Sequence, residues 1–315
     1  MNSLREAVIA TIYYFSINDT ALTAEEIRRY LYGWPEAVSL NEIQRELEEN
    51  KNVVCCKGYW VLMGKEASVE RRIISTSIES SFWIRVWRYV WFFEAVGHIR
   101  MAAVVNSLAF GTVKPTSDID FLIITEPGKV AYVRTALKLL SQLYGIKVRG
   151  NDRAQKFCFS FIVDSEHEMM ETFAHEYDPH LAYITAFTRP VYGFEYYKKW
   201  LQNQQPWLKH YFKRNIAAFS SEHDVHKNSV PRLHRSLVKM VTPLVQPFEE
   251  HRLRKYIEQL SQKEAILLSS GVSKLHEHDS RLFYAHSLSE FFFSTKSNQI
   301  AVPGKPYLRR ISFSK

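Results

Sequence analysis

The apolar positions of the first part of the chain recur first with a helical and then with a strand period. Leu4 to Phe15 is apolar-rich and reads as a helix. Thr23-Ala24-Glu25-Glu26 and Ser39-Leu40-Asn41-Glu42 each set a hydroxyl three residues before a glutamate. That spacing lets side chain and backbone satisfy each other's orphan groups, so each stretch predicts a helix start. Leu40, Ile43 and Leu47 share one face of the third helix, and Val53 to Met63 then predicts two strands around a turn at Lys57-Gly58. Three helices followed by a hairpin predict a winged helix-turn-helix over residues 1–66.

From Val69 a helical stretch leads through the aromatic run Phe82 to Glu94 and ends at Gly97. Arg85, Arg88 and Glu94 interrupt that run, which falls short of the roughly 20 apolar residues a membrane span needs. A buried amphipathic helix is expected, with Trp83, Trp87, Val90 and Trp91 in the core, and no membrane contact. Beyond it the pattern predicts a strand over Ile99 to Val105, a loop over 106–117 and a strand over 118–124. A helix from Lys129 to Tyr144 follows, with Val133, Leu137, Leu140 and Leu143 inward, then a strand over Phe157 to Val163. Helices are expected over Glu166 to Arg189 and Phe194 to Phe212. This alternation defines an α/β (α+β) core over residues 67–215. The polar stretch Ser220 to Arg235 reads as a linker. A helix over Phe248 to Leu260 and an irregular tail complete residues 216–315, a C-terminal helical extension.

Composition narrows the setting. The chain has 315 residues, 46% hydrophobic and 14% aromatic, which is enough apolar material for a substantial core. Lys and Arg number 41 against 33 Asp and Glu, and the net charge of +8 suits polyanionic partners without requiring them. The cysteines are Cys55, Cys56 and Cys158, with no Cys-x-x-Cys and no spacing for a disulfide framework. The first residues lack the cationic start and cleavage site of a secretory signal. A reducing, cytoplasmic location is expected.

The chemistry concentrates in Asn106 to Ile124, where a polar loop containing Ser107 and Gly111 runs into Asp118-Ile119-Asp120 at the head of an apolar strand. Residues two apart in a strand share a face, so Asp118 and Asp120 point together while Ile119, Phe121 and Ile123 point oppositely into a core. Two adjacent carboxylates call for a divalent cation, and Mg²⁺ takes one or two carboxylates together with substrate phosphates. Ser107 offers a hydroxyl donor, and Gly111 permits close approach of backbone to a ligand.

Ser107, Gly111, Pro115, Ser117, Asp118 and Asp120 together resemble the signature of the polymerase-beta-like nucleotidyltransferase superfamily, over roughly residues 98–164. More loosely, the order of winged helix, core and helical tail is similar to a bacterial group of nucleotidyltransferase-domain proteins. The resemblance implies Mg²⁺-dependent transfer of a nucleoside monophosphate from a nucleoside triphosphate to a hydroxyl, on RNA, protein or a small molecule. It implies that Asn106, Ser107 and Gly111 bind the nucleotide and that Asp118 and Asp120 hold metal. Asn106 stands where the family has glycine, and Asn tolerates left-handed backbone. The family's third carboxylate lies on a later strand. In Lys156 to Asp164, residues Cys158, Ser160, Ile162 and Asp164 share a face, and Asp164 at the strand end is the acidic candidate.

The alternative is a nucleotide-binding regulator or adaptor with a degenerate core. The third helix carries Glu42, Glu46, Glu48 and Glu49 against Arg45, which disfavours DNA and favours protein docking or self-association. The basic stretch Lys147 to Lys156 is where an RNA acceptor would approach. The histidine groups at 175–180 and 276–279 read as surface residues, lacking a zinc-site pattern.

Overall fold

A computed structural model describes residues 3–148 and 152–219, together with 251, 255, 266–268, 271–275 and 280–295. It is a mixed α/β structure with a mixed sheet. Helices α1 (Leu4–Ser16), α2 (Ala24–Tyr30) and α3 (Leu40–Glu48) are followed by β1 (Val53–Cys56) and β2 (Tyr59–Leu62). Both capping boxes form: the Thr23 and Ser39 hydroxyls accept from the amides of Glu26 and Glu42, whose carboxylates accept in return. β1 and β2 pair antiparallel from Val53↔Leu62 to Cys56↔Tyr59. Lys57 and Gly58 both take positive φ, the condition of the tight turns that join such strands.

Among the described residues the second sheet has six strands, ordered β6-β3-β4-β5-β8-β7, made of β3 (Ile99–Val105), β4 (Ile119–Thr125), β5 (Phe157–Asp164), β6 (Arg189–Tyr192), β7 (Ile266–Leu268) and β8 (Val272–Leu275). β4 and β5 are parallel and the other pairings antiparallel. Period-2 alternation divides the buried strand residues between two cores. Ala102, Val104, Ile119, Phe121 and Ile123 face α4 (Ala67–Tyr89), α5 (Trp91–Val96) and α7 (Val130–Leu143). Met101, Ala103, Val105, Leu122 and Ile124 join α1, α3, α8 (Pro179–Ala186), α9 (Phe194–Phe212) and α10 (Arg281–Thr295). The core of the N-terminal helices is therefore continuous with one face of the sheet across residue 66.

Several expected elements change. The 106–117 loop opens with a short helix, α6 (Asn106–Ala109). The aromatic helix breaks at Val90, and Trp83 and Trp87 are half-buried against the core, their rings 6.4 Å apart. Leu143, expected inward, is 78% exposed, because α7 turns Val130, Val133 and Leu137 to the sheet. Glu166 to Arg189 is not one helix but a 3₁₀ turn (Met170–Phe173), α8 and strand β6. Asp178 caps α8 with Pro179 in its first turn, and Pro190 sits in an edge strand, where a missing N–H is tolerated. The supposed irregular tail contributes β7, β8 and α10. The expected linker at 220–235, the histidine group at 276–279 and, apart from helical His251 and Lys255, the helix over 248–260 lie outside the described residues.

Candidate functional site

Asp120 occupies the position on β4 that pairs with Val105 of β3 on one side and Cys158 of β5 on the other. Asp118 precedes the strand on the same face. Just after the Asp120–Cys158 pair the β4–β5 register shifts, the kind of irregularity that re-aims side chains. Ligand atoms of Asp118, Asp120 and Cys158 all lie within 4.8 Å of one another.

The surroundings hold these groups in place. Asn106 adopts left-handed backbone, φ 58, and its Nδ2 donates to Asp120 Oδ2 at 3.0 Å. Asn106 thus both accepts the left-handed conformation and binds a site carboxylate. Arg153 Nη2 donates to Asp118 Oδ2 at 2.6 Å. Burial first, and the Asp118 charge second, push the Asp120 carboxyl up to about 6, while hydrogen bonds from Asn106 and Cys158 oppose the rise.

That shift predicts a pH effect on stability. A carboxyl whose pKa rises on folding binds its proton more tightly folded than unfolded, so unfolding free energy falls as pH rises from about 3.8 through about 6. Asp120→Asn is expected to be more stable than wild type at pH 8 by about 1–2 kcal/mol, with the difference gone by pH 4. Urea denaturation at the two pH values checks this, and equal midpoints at pH 8 would contradict it.

Asp120 forms part of the wall of a cleft of about 390 Å³ between the sheet and helices α1, α8 and α10. Asn106, Ser107 and Lys114 also line it, as do Lys274 of β8 and Arg281 of α10. Its apolar side is aromatic. His180 stacks on Tyr284 with centroids 4.0 Å apart, and its Nδ1 shares a hydrogen bond with the Tyr14 hydroxyl at 2.8 Å. Lys274 Nζ lies over the Phe161 ring at 6.0 Å. His180, expected at the surface, is a half-buried member of the cleft.

Two expected site residues are elsewhere. Gly111 does not line the cleft: its carbonyl accepts from Arg72 Nη1 and, at 2.9 Å, from Ser75 Oγ, anchoring α4. A Cβ there would stand 2.9 Å from Glu79 Oε2, and φ is 66°, so the glycine answers to packing. Asp164 pairs with Thr125 at the far end of β4, roughly 20 Å along the strand from Cys158. It accepts from the Gly128 and Glu166 amides at 3.0 and 3.1 Å and shares a 2.7 Å hydrogen bond with His167 Nδ1. It is not available to Asp118 and Asp120.

The chain reading missed Arg153 as the partner of Asp118, and Tyr14, His180, Lys274 and Arg281 as cleft residues. Only the proximity of the Lys147–Lys156 stretch to the next strand hinted at the first. The others come from remote segments and left no local signal. Neither family models, curated proteins nor solved structures give a match to this chain. Among the described residues, no helix is long and apolar enough to cross a membrane.

Proposed function

We propose that the protein is a divalent-cation-dependent nucleotidyltransferase of the polymerase-beta-like kind, moving a nucleoside monophosphate from a nucleoside triphosphate to a hydroxyl of RNA, protein or a small molecule. One observation carries the reading: Asp120, with Asp118 beside it, shares a single cleft with Ser107, Lys114, Lys274 and Arg281. Carboxylates suited to a cation and donors suited to phosphate oxygens therefore meet in one space. The two carboxylates fit a divalent cation, but the neighbouring thiol does not fit the all-oxygen set of Mg²⁺. A cation there, when bound, neutralises phosphate charge during in-line displacement. The chain's own residues do the rest: Ser107, Lys114 and Lys274 hold phosphate oxygens, and the Tyr14–His180–Tyr284 surface offers flat rings on which a base can stack.

The N-terminal helices and hairpin fit a winged helix used for docking a protein or a second copy. Arg5 already pairs with Glu46 at 3.0 Å and Glu49 at 2.8 Å, so part of the acidic face of α3 is neutralised within the chain. A cytoplasmic location belongs to the same reading, none of the three cysteines being in a disulfide. A second reading, a non-catalytic nucleotide-binding regulator, is favoured by the remoteness of Asp164 and by the Arg153 guanidinium on Asp118.

Nucleoside triphosphate at about 100 times its Kd, with a panel of divalent cations, is expected to raise the melting temperature by about 5 °C. The Asp118→Ala/Asp120→Ala double variant is expected to lose that rise. A cation-dependent rise that survives the double change would sink the cleft assignment. Pyrophosphate release then separates the two readings: turnover supports the transferase, and binding without turnover on RNA, protein or small-molecule acceptors supports the regulator.

A further inference from the structure

The donor set beside β4 differs from what an all-oxygen cation requires. Parallel strands stand about 4.8 Å apart, and Asp120 and Cys158 are register partners, so carboxylate and thiol sit side by side on the cleft face. With Asp118 they form a three-ligand convergence, its atoms within 4.8 Å of one another. The nearest acidic residue on β5, Asp164, has its oxygens committed to Gly128, Glu166 and His167 at the other end of the strand. The third position beside the carboxylate pair therefore belongs to sulfur.

We propose that Cys158 is the third protein ligand of the cation site and selects its metal: a borderline cation of the Zn²⁺ or Co²⁺ type in preference to Mg²⁺. This rests on the reading of Asp118 and Asp120 as a cation site. Mg²⁺ demands near-ideal octahedral oxygen coordination, whereas thiolate ligands favour softer ions. Two carboxylates and one thiolate make three protein ligands with a position left for a further group, the ligand count of catalytic zinc sites. The thiol loses its proton on binding, so metal uptake releases acid. Arg153 is the competitor, since its guanidinium holds Asp118 at 2.6 Å; with 54% of its side chain exposed, it has solvent into which to turn.

The test is a Co²⁺ titration of the full chain without nucleotide. Cys55 and Cys56 are replaced by serine in every arm, so that Cys158 is the one thiol present. The expected result is an intense thiolate-to-cobalt charge-transfer absorption that disappears in Cys158→Ser. In the same variant Zn²⁺ affinity falls at least about tenfold, the lower end of what even an outer-shell change costs a metal site. Cys158→Asp, which restores an all-carboxylate set, is expected to shift preference towards Mg²⁺. Unfolding midpoints of the variants, measured without metal, separate a lost ligand from a damaged fold. Co²⁺ binding that depends on Asp118 and Asp120 but shows no thiolate band, with Cys158→Ser unchanged, overturns the proposal and leaves the cation-site reading standing. No binding of any divalent cation that depends on the two aspartates overturns both.

Discussion

Asp178→Ala is expected to destabilise the fold by about 3–5 kcal/mol, the range for stranding one member of a buried ion pair. Asp178 is fully buried, and each oxygen is used. Oδ1 accepts from the Leu181 amide at 2.9 Å and caps α8; Oδ2 accepts from Arg281 Nη1 at 2.9 Å and from the His175 amide at 3.3 Å. Arg281 is itself buried, and its same nitrogen also donates to the Phe173 carbonyl. Alanine would leave a guanidinium in the core without its carboxylate and remove the helix cap as well. Adding Arg281→Met is expected to recover a large part of the loss, because an apolar pair of similar volume carries no desolvation cost. Chemical denaturation of the two single variants and the double variant measures this. A single-variant loss below about 1 kcal/mol would mean that the pair does not hold α8 to α10.

Gly193→Ala should be comparably severe, for a different reason. Gly193 joins β6 to α9 at φ 74°, and a Cβ there would lie 1.9 Å from the Arg100 carbonyl oxygen of β3. The obstacle is backbone in a central strand, so no rotamer change relieves it. The helix and the sheet must separate, which is expected to cost at least ~3 kcal/mol on top of ~1 kcal/mol for left-handed alanine. Gly128 shares the positive φ, at 66°, but a Cβ there meets nothing within 4 Å. Gly128→Ala is therefore expected to cost only about 1 kcal/mol, and the contrast between the variants isolates steric conflict from conformational preference. Equal melting temperatures for the two would contradict the close approach of Gly193 to β3.

Features written in short windows were legible in the chain. Thr23 with Glu26 and Ser39 with Glu42 marked their helices because a capping box is complete within four residues. The shared face of Asp118 and Asp120 followed from strand periodicity alone, and so did the opposite burial of Ile119, Phe121 and Ile123. Position along a neighbouring strand was not legible. Simple alternation puts Asp164 and Cys158 on one face, but the register shift after Asp120 and Cys158 adds a residue to β5 and turns Asp164, opposite Thr125, to the other side of the sheet. The pairing of β8 with β5 was hidden because the two strands lie more than a hundred residues apart, a separation that leaves no local trace. Helix α10 was hidden because apolar residues are spread around it, with Leu282 and Phe293 exposed while Tyr284, Leu288 and Phe291 are buried. Its period does not separate the faces. The single helix expected over Glu166 to Arg189 did not use Asp178-Pro179, the N-cap and first-turn proline that start α8.

The first and last described helices lie against each other. Tyr13 of α1 meets Phe291 of α10 with ring centroids 4.6 Å apart, and the Asn18 side chain donates to the Tyr284 hydroxyl. Both helices wall the cleft above Asp120. Because a chain leaves the ribosome from its N-terminus, at about 5–20 residues per second, Asp118 and Asp120 exist for many seconds before α10 does. A nascent chain that has not yet reached Arg281 has the α1 and α8 walls of the cleft but not the α10 wall, so Tyr13 and His180 still await their ring contacts with Phe291 and Tyr284. Synthesis order thus sets the order of acquisition: the charged floor comes first, and the binding space is completed only when Phe291 of α10 reaches Tyr13 of α1.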